Sequence, residues 1–376
     1  MKSTAVRVGK GAMLGAIAAA ESLVRRPDLS SDALRGIKNF LVLQYPAALG
    51  TAVHATPLVG GLRAVVPGAR IVVGASGYGL EVFRNNEALE RVIETPSPLN
   101  DLWGAVRAVR GVFGGAAYAT LTSTGNERTA IGMQALLAGK SVRVGFTVVP
   151  QLYHRPLRFD SGLSQIANNL RILKELGHEV GHVEPVIFPS AKNVDSAGKL
   201  LTEQGMDDGR PIAVFVTQTS VTQRKGWRGE RFVVVARHLR EKFGAHILFV
   251  GTAAEAGRID EIRAQLGFAS ASVAGKTDIG VLGAVLARCA VGVTLDTGTL
   301  HIGRGVGLPM VVIAPAWSPA VEWLPVGNPK YKILKNLTID APAPADYVID
   351  EVSVAEVCAA VDELMSQRTE TVSRSS

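Results

Sequence analysis

From Ile37 onward, short runs of β-branched and aliphatic residues alternate with longer stretches in which apolar positions recur every three or four residues. The first pattern predicts strands buried on both faces and the second amphipathic helices. Together they predict an α/β chain in which helices cover both sides of a parallel sheet. In the first half the strand candidates are Phe40–Tyr45, Ala69–Ala75, Arg91–Thr95, Ala117–Leu121 and Val142–Phe146. The helix candidates between and after them are Thr51–Val66, Asp101–Val112, Arg128–Ala138 and Ser164–Leu176, the last stopped by Gly177.

Between Gly181 and Gly209 the periodicity breaks into Pro185, Pro189, Ser190 and a short polar helix, as in a linker between domains. A second α/β series follows. Its strands are expected at Ile212–Thr217, His246–Val250, Ser272–Ala274, Val291–Leu295, Met310–Ala314 and Tyr331–Leu334. Its helices are expected at Glu230–Phe243, Ala254–Leu266, Ile279–Cys289, Leu300–Val306 and Val354–Met365, ahead of a disordered polar tail. The expected organisation is an N-terminal helical extension (1–36), two Rossmann-like domains (37–190 and 191–350), and a C-terminal helix with its tail (351–376). Two such domains predict a cleft, and open parallel sheets bind ligands beyond the carboxyl ends of their strands.

Composition narrows the class. In 376 residues, 47% hydrophobic and 19% charged positions exclude a disordered chain. Cys289 and Cys358 lie in apolar helical patterns and suggest no disulfide framework. A net charge of +7 favours anionic partners such as phosphates or lipid surfaces. Nucleic acid is not among the expected partners, because the cations are neither clustered nor interleaved with aromatic residues. Gly11–Ala20 is too short to span a bilayer. Met1 to Val24 reads as a basic amphipathic helix that packs on the body or lies on an anionic membrane surface. A cytoplasmic location is expected, with the inner face of the cytoplasmic membrane as the peripheral alternative.

Three post-strand loops carry candidate chemistry. Asp296-Thr297-Gly298-Thr299-Leu300-His301 follows a strand and opens a helix, so backbone N–H groups at Thr297 and Gly298 can meet an anion along the helix dipole. The spacing equally fits a simple helix cap with a core histidine. Thr217 to Trp227 is a polar loop with Thr217, Thr219, Ser220 and Lys225, whose cation could neutralise a diphosphate. The loop from Gln44 to Pro57 lacks G-x-G-x-x-G, which argues against a dinucleotide-binding dehydrogenase. Thr51 and His54 share a helix face there, and His54 reads either as a general base or, as a lone helical histidine more often is, as structural. No P-loop, H-E-x-x-H, G-x-S-x-G or paired-cysteine set is present, and neither a metal nor a cofactor is expected.

Taken together, these loops resemble glycosyltransferase family 9, the bacterial heptosyltransferases, from about Ile37 to Asn336. The most specific match is Asp296-Thr297-Gly298 with His301 and Gly307-Leu308-Pro309. Lys225-Gly226-Trp227 with Glu230-Arg231-Phe232 is similar to a second family segment, with Arg228 where proline is usual. Val66-Pro67-Gly68-Ala69-Arg70-Ile71, Arg143-Val144-Gly145-Phe146 and, more loosely, Pro315 to Gly327 extend the likeness.

The resemblance implies a GT-B architecture and inverting, metal-independent transfer of a heptose-like sugar. The implied donor is ADP-heptose and the implied acceptor a lipopolysaccharide core or another cell-envelope polysaccharide or glycolipid. It also implies that Lys225, Thr297 and Gly298 hold the donor diphosphate and that Asp296 orients the sugar or leaving group. Thr217, Thr219, Ser220 and His301 complete the expected donor site. One departure stands out: the family's Gly-Asp, whose aspartate is its proposed base, is here Gly50-Thr51. A threonine hydroxyl is no base near neutral pH, and His54 is the expected substitute. The alternatives are a degenerate member that only binds nucleotide, and a GT-B nucleotide-sugar epimerase.

Overall fold

The structure, a computed structural model, describes residues 28–218, 225–318, 320–336 and 347–375. The extension expected over 1–36 therefore lies mostly outside the described residues, as do Thr219 and Ser220. The chain divides into two compact units between Pro185 and Val186, a few residues before the expected boundary at 190.

The first unit is built on a parallel sheet of order β3-β2-β1-β4-β5-β6. Its strands are β1 (Asn39–Gln44), β2 (Arg70–Ala75), β3 (Arg91–Glu94), β4 (Ala119–Thr122), β5 (Val142–Phe146) and β6 (Arg155–Leu157). β1 and β4 are buried along nearly their whole length, as continuous apolar runs in a two-sided parallel sheet must be. The last strand was not legible because it is three residues long and contains Pro156; at an edge, proline's missing N–H costs no ladder bond.

The helix expected over Thr51–Val66 is two helices, Leu49–His54 and Thr56–Val65, meeting at Ala55. Pro57, in the first turn of the second, has no N–H to continue the first helix's ladder, and Thr56 donates its hydroxyl to the Val53 carbonyl instead.

The second unit repeats the topology. Its strands are β7 (Ile212–Val216), β8 (His246–Phe249), β9 (Ala271–Ser272), β10 (Val291–Leu295), β11 (Met310–Ile313) and β12 (Tyr331–Leu334), in the order β12-β11-β10-β7-β8-β9. Phe215, Phe232 and Phe249 are fully buried in its core, with Trp227 set edge-on to Phe232 at 4.8 Å between ring centroids. The polar helix after the linker, Ala191–Glu203, opens with a Ser190–Asn193 capping box. The final helix runs from Val354 to Ser375 rather than stopping at Met365, so no disordered tail follows it among the described residues; the sequence past Met365 contains neither proline nor glycine to end it. No helix among the described residues is long and apolar enough to cross a membrane.

In each sheet two adjacent central strands, β1 and β4 or β7 and β10, send their connections in opposite directions. The chain ends leaving such a pair frame a crevice at the carboxyl edge, where open α/β sheets bind ligands.

Candidate functional site

In the second unit that edge gathers most of the expected donor residues. Val216 pairs in register with Thr294, so Thr217 and the Leu295-Asp296 step leave neighbouring strand ends. Thr217 is buried, and Asp296 is only 4% exposed. From the far side of the β7 loop, Lys225 donates from Nζ to Asp296 Oδ2 at 2.5 Å. Its ammonium also stands 5.7 Å from the centre of the Trp317 ring, where an aromatic face attracts a cation. Desolvating an ion pair is expensive, so a pair this buried is weak evidence for stability.

Thr297 is the N-cap of the helix Gly298–Gly305, but its side chain makes no capping bond. Its Oγ1 is buried and finds no hydrogen-bond partner among the described residues. A buried hydroxyl without a partner carries a desolvation cost that an incoming acceptor oxygen would remove. The first N–H groups of the helix point the same way, since none has an intrahelical partner. One turn on, His301 is buried, with its ring 5.8 Å from that of Trp323. Burial pushes its imidazole down to about 4; Arg304 and Lys225 add to this and Asp296 opposes it. The ring is therefore neutral at physiological pH and contributes dipoles rather than charge.

The lysine loop is positioned by the chain before the last helix. The Ile349 N–H donates to the Gly226 carbonyl, and Trp227 Nε1 donates to the Val352 carbonyl at 3.0 Å. Arg228 forms a two-pronged pair with Asp350 at 2.7 and 2.6 Å, which gives the residue replacing the usual proline an anchoring role. The loop carrying Trp317 is fixed by Lys335, which donates to the Ala316 carbonyl, and by Glu351, which accepts from the Ala316 N–H.

In the first unit the β1 and β4 exits are tied together. The Tyr45 N–H donates to Asn126 Oδ1 at 2.6 Å, and Gln44 Nε2 donates to Ser123 Oγ at 2.7 Å. Gly125 has φ +78°, and a Cβ there would lie 2.3 Å from Thr51 Cγ2. Thr51 thus sits at the crevice, buried against the β4 loop. His54 is placed differently: it is 1% exposed, and its carbonyl accepts from Asn169 on the helix Gln165–Glu175. Arg143 is also buried and donates to the Leu152 carbonyl, which explains its place in the strand motif as structural.

Trp317, Trp323 and the Asp350–Glu351 anchors were not singled out from the sequence. Only their looseness within Pro315 to Gly327, or their distance along the chain, was visible. Among the described residues no cluster of histidine, cysteine and carboxylate groups could hold a metal ion.

The chain thus carries two Rossmann-like units of identical strand order, the second with the Lys225 cation and a helix start at its switch point. A family model described as glycosyltransferase family 9 (heptosyltransferase) matches residues 133–337, more than half of the chain. The chain belongs to glycosyltransferase family 9 and is a glycosyltransferase.

Solved structures agree in fold. A family 9 glycosyl transferase from Veillonella parvula superimposes with a TM-score of 0.76 at 17% identity, over 88% of this chain and 98% of that one. The E. coli ADP-heptose lipopolysaccharide heptosyltransferase II gives 0.70 at 17% identity, over 88% and 99%. E. coli heptosyltransferase WaaC with ADP gives 0.65 at 15%, over 86% and 99%. No curated protein matches the chain.

Proposed function

We propose that the protein transfers a heptose-like sugar from a nucleoside-diphosphate donor, ADP-heptose by preference, to a polysaccharide or glycolipid acceptor of the cell envelope such as a lipopolysaccharide core, with inversion and without a metal. The observation that carries this reading is the Lys225–Asp296 pair beside the Thr297 hydroxyl, which has no partner among the described residues, at the start of a helix. Lys225, Thr297 and Gly298 supply a cation, a hydroxyl and helix N–H groups, the set that stabilises charge growing on a departing diphosphate. Asp296 holds the Lys225 ammonium in place and accepts from a sugar hydroxyl once the diphosphate draws that ammonium away. Thr217, with Thr219 and Ser220 of the same loop, completes the donor side, and neutral His301 packs beneath it.

Titration calorimetry with ADP, UDP and GDP tests this directly. Lys225→Ala should weaken ADP binding at least tenfold, since a charge-assisted hydrogen bond is worth about 1.5–3 kcal/mol. Asp296→Asn should bind ADP no more weakly than the wild type while losing transfer. Equal binding of ADP by wild type and Lys225→Ala would remove the donor assignment. A degenerate, binding-only member is the second reading, favoured by Thr51 where a base is needed; retained ADP affinity with no turnover on any sugar donor would select it.

Peripheral membrane association rests on the net charge of +7 and the basic N-terminal segment. Removing residues before Ile37 should lower binding to anionic vesicles, and unchanged binding would end that part of the reading.

A further inference from the structure

We propose that Glu127 is the catalytic base, the carboxylate that takes the proton from the acceptor hydroxyl. This rests on the transferase reading above. In the step, the acceptor oxygen forms a bond to the anomeric carbon as the bond from that carbon to the diphosphate oxygen breaks. The bonding pair leaves with the diphosphate, and the hydroxyl proton passes to Glu127.

Topology carries the inference. A general base must reach the substrate at the crevice, and in the first sheet that crevice is framed by the exits of β1 and β4. Those exits, residues 45–55 and 123–128, contain a single carboxylate, Glu127. It stands two residues after Gly125, the residue pressed against Thr51, in a loop pinned to β1 by Asn126 and by Arg128, which reaches the Tyr45 carbonyl at 3.4 Å.

Other carboxylates near this edge stand outside the β1 and β4 exits, and Glu81 is an exposed residue of the helix after β2. Asp101 caps the helix Leu102–Val109, Asp160 accepts from the Gly162 N–H, and Glu94 lies on edge strand β3 near Arg84. His54, the base expected from the sequence, is 1% exposed.

The surroundings suit the task. Glu127 is half-buried, and burial lifts its carboxyl above the ordinary glutamate range despite N–H donation from Gly125 and from Glu127 itself. Arg128 on its own loop pulls it back down; Tyr153, from the segment between β5 and β6, has its phenol pushed up to about 12 by its own burial, with the nearby Glu127 charge the smallest contribution. A carboxylate moved toward neutrality accepts a proton more readily in the transition state.

The test uses the full chain with ADP-heptose, following ADP release both with heptose-deficient lipopolysaccharide core as acceptor and with water alone. Glu127→Gln should lower the rate by about 10²–10⁴-fold, the usual contribution of general base catalysis, with ADP affinity and the thermal midpoint unchanged. Glu127→Ala should regain part of its rate with added formate, which a merely structural role would not allow. Wild-type rates in Glu127→Gln, or loss without rescue, overturn the proposal. A wild type that binds ADP yet releases none with either acceptor overturns it together with transfer. A wild type that binds no nucleotide overturns the donor reading beneath it.

Discussion

His301 shows how one residue's burial becomes a property of the whole protein. Its folded pKa of about 4 lies below the ordinary value near 6.5, so the unfolded chain binds a proton that the folded chain refuses. The stability this contributes is complete above pH 6.5 and is lost as pH falls toward 4, by about 3 kcal/mol in all. Urea unfolding across that window should show the loss in the wild type and a flatter profile in His301→Gln.

Gly125 makes a second residue-scale case. Its φ of +78° and the 2.3 Å approach of a Cβ to Thr51 Cγ2 forbid a side chain twice over. Gly125→Ala should cost about 1–3 kcal/mol, and pairing it with Thr51→Ser, which removes the obstructing methyl, should recover only the steric part. Chemical denaturation of the three variants measures both.

Among the elements, the stretch Lys225 to Arg231 separates packing from charge. Trp227 is buried against Phe232 and anchored through its indole N–H, so Trp227→Ala should cost about 3–5 kcal/mol. Arg228 and Asp350 form a well-aligned pair, but both side chains are 49% exposed. Screening by water holds such a pair to about 1 kcal/mol or less, so Arg228→Ala should barely move the unfolding midpoint. If Arg228→Ala alters ADP affinity as well, the pair acts on the lysine loop's position.

Element boundaries were legible where burial is two-sided and local. Val142–Phe146 and Val291–Leu295, buried along their whole length, stand where the apolar runs placed them. The break at Ala55 was not read, although Pro57 is its cause, because the apolar period runs unbroken from one helix into the next.

For the whole molecule, the expectation concerns linkage. A nucleotide that binds only the folded second unit should raise the stability of that unit, by about 2.7 kcal/mol at a hundred times Kd. Thermal scans of the full chain with and without ADP should show the rise in the wild type and lose it in Lys225→Ala. Because the site combines a lysine cation with a protein of net charge +7, the rise should shrink as salt increases.

The sequence by itself determined what depends on neighbours in the chain: two α/β series, most strands and helices, and the post-strand turns that bear Asp296, Thr297 and Lys225. Periodicity and turn chemistry are local, so these are readable one segment at a time. Tertiary structure alone decided which of those turns meet. It brought Lys225 onto Asp296, 71 residues away, beneath Trp317, and it put Thr51 against Gly125. It also buried His54 while leaving Glu127 half-exposed in the loop after β4. The physical reason is that exposure and pairing are set by strand order, and strand order brings together residues whose separation along the chain carries no trace of their contact.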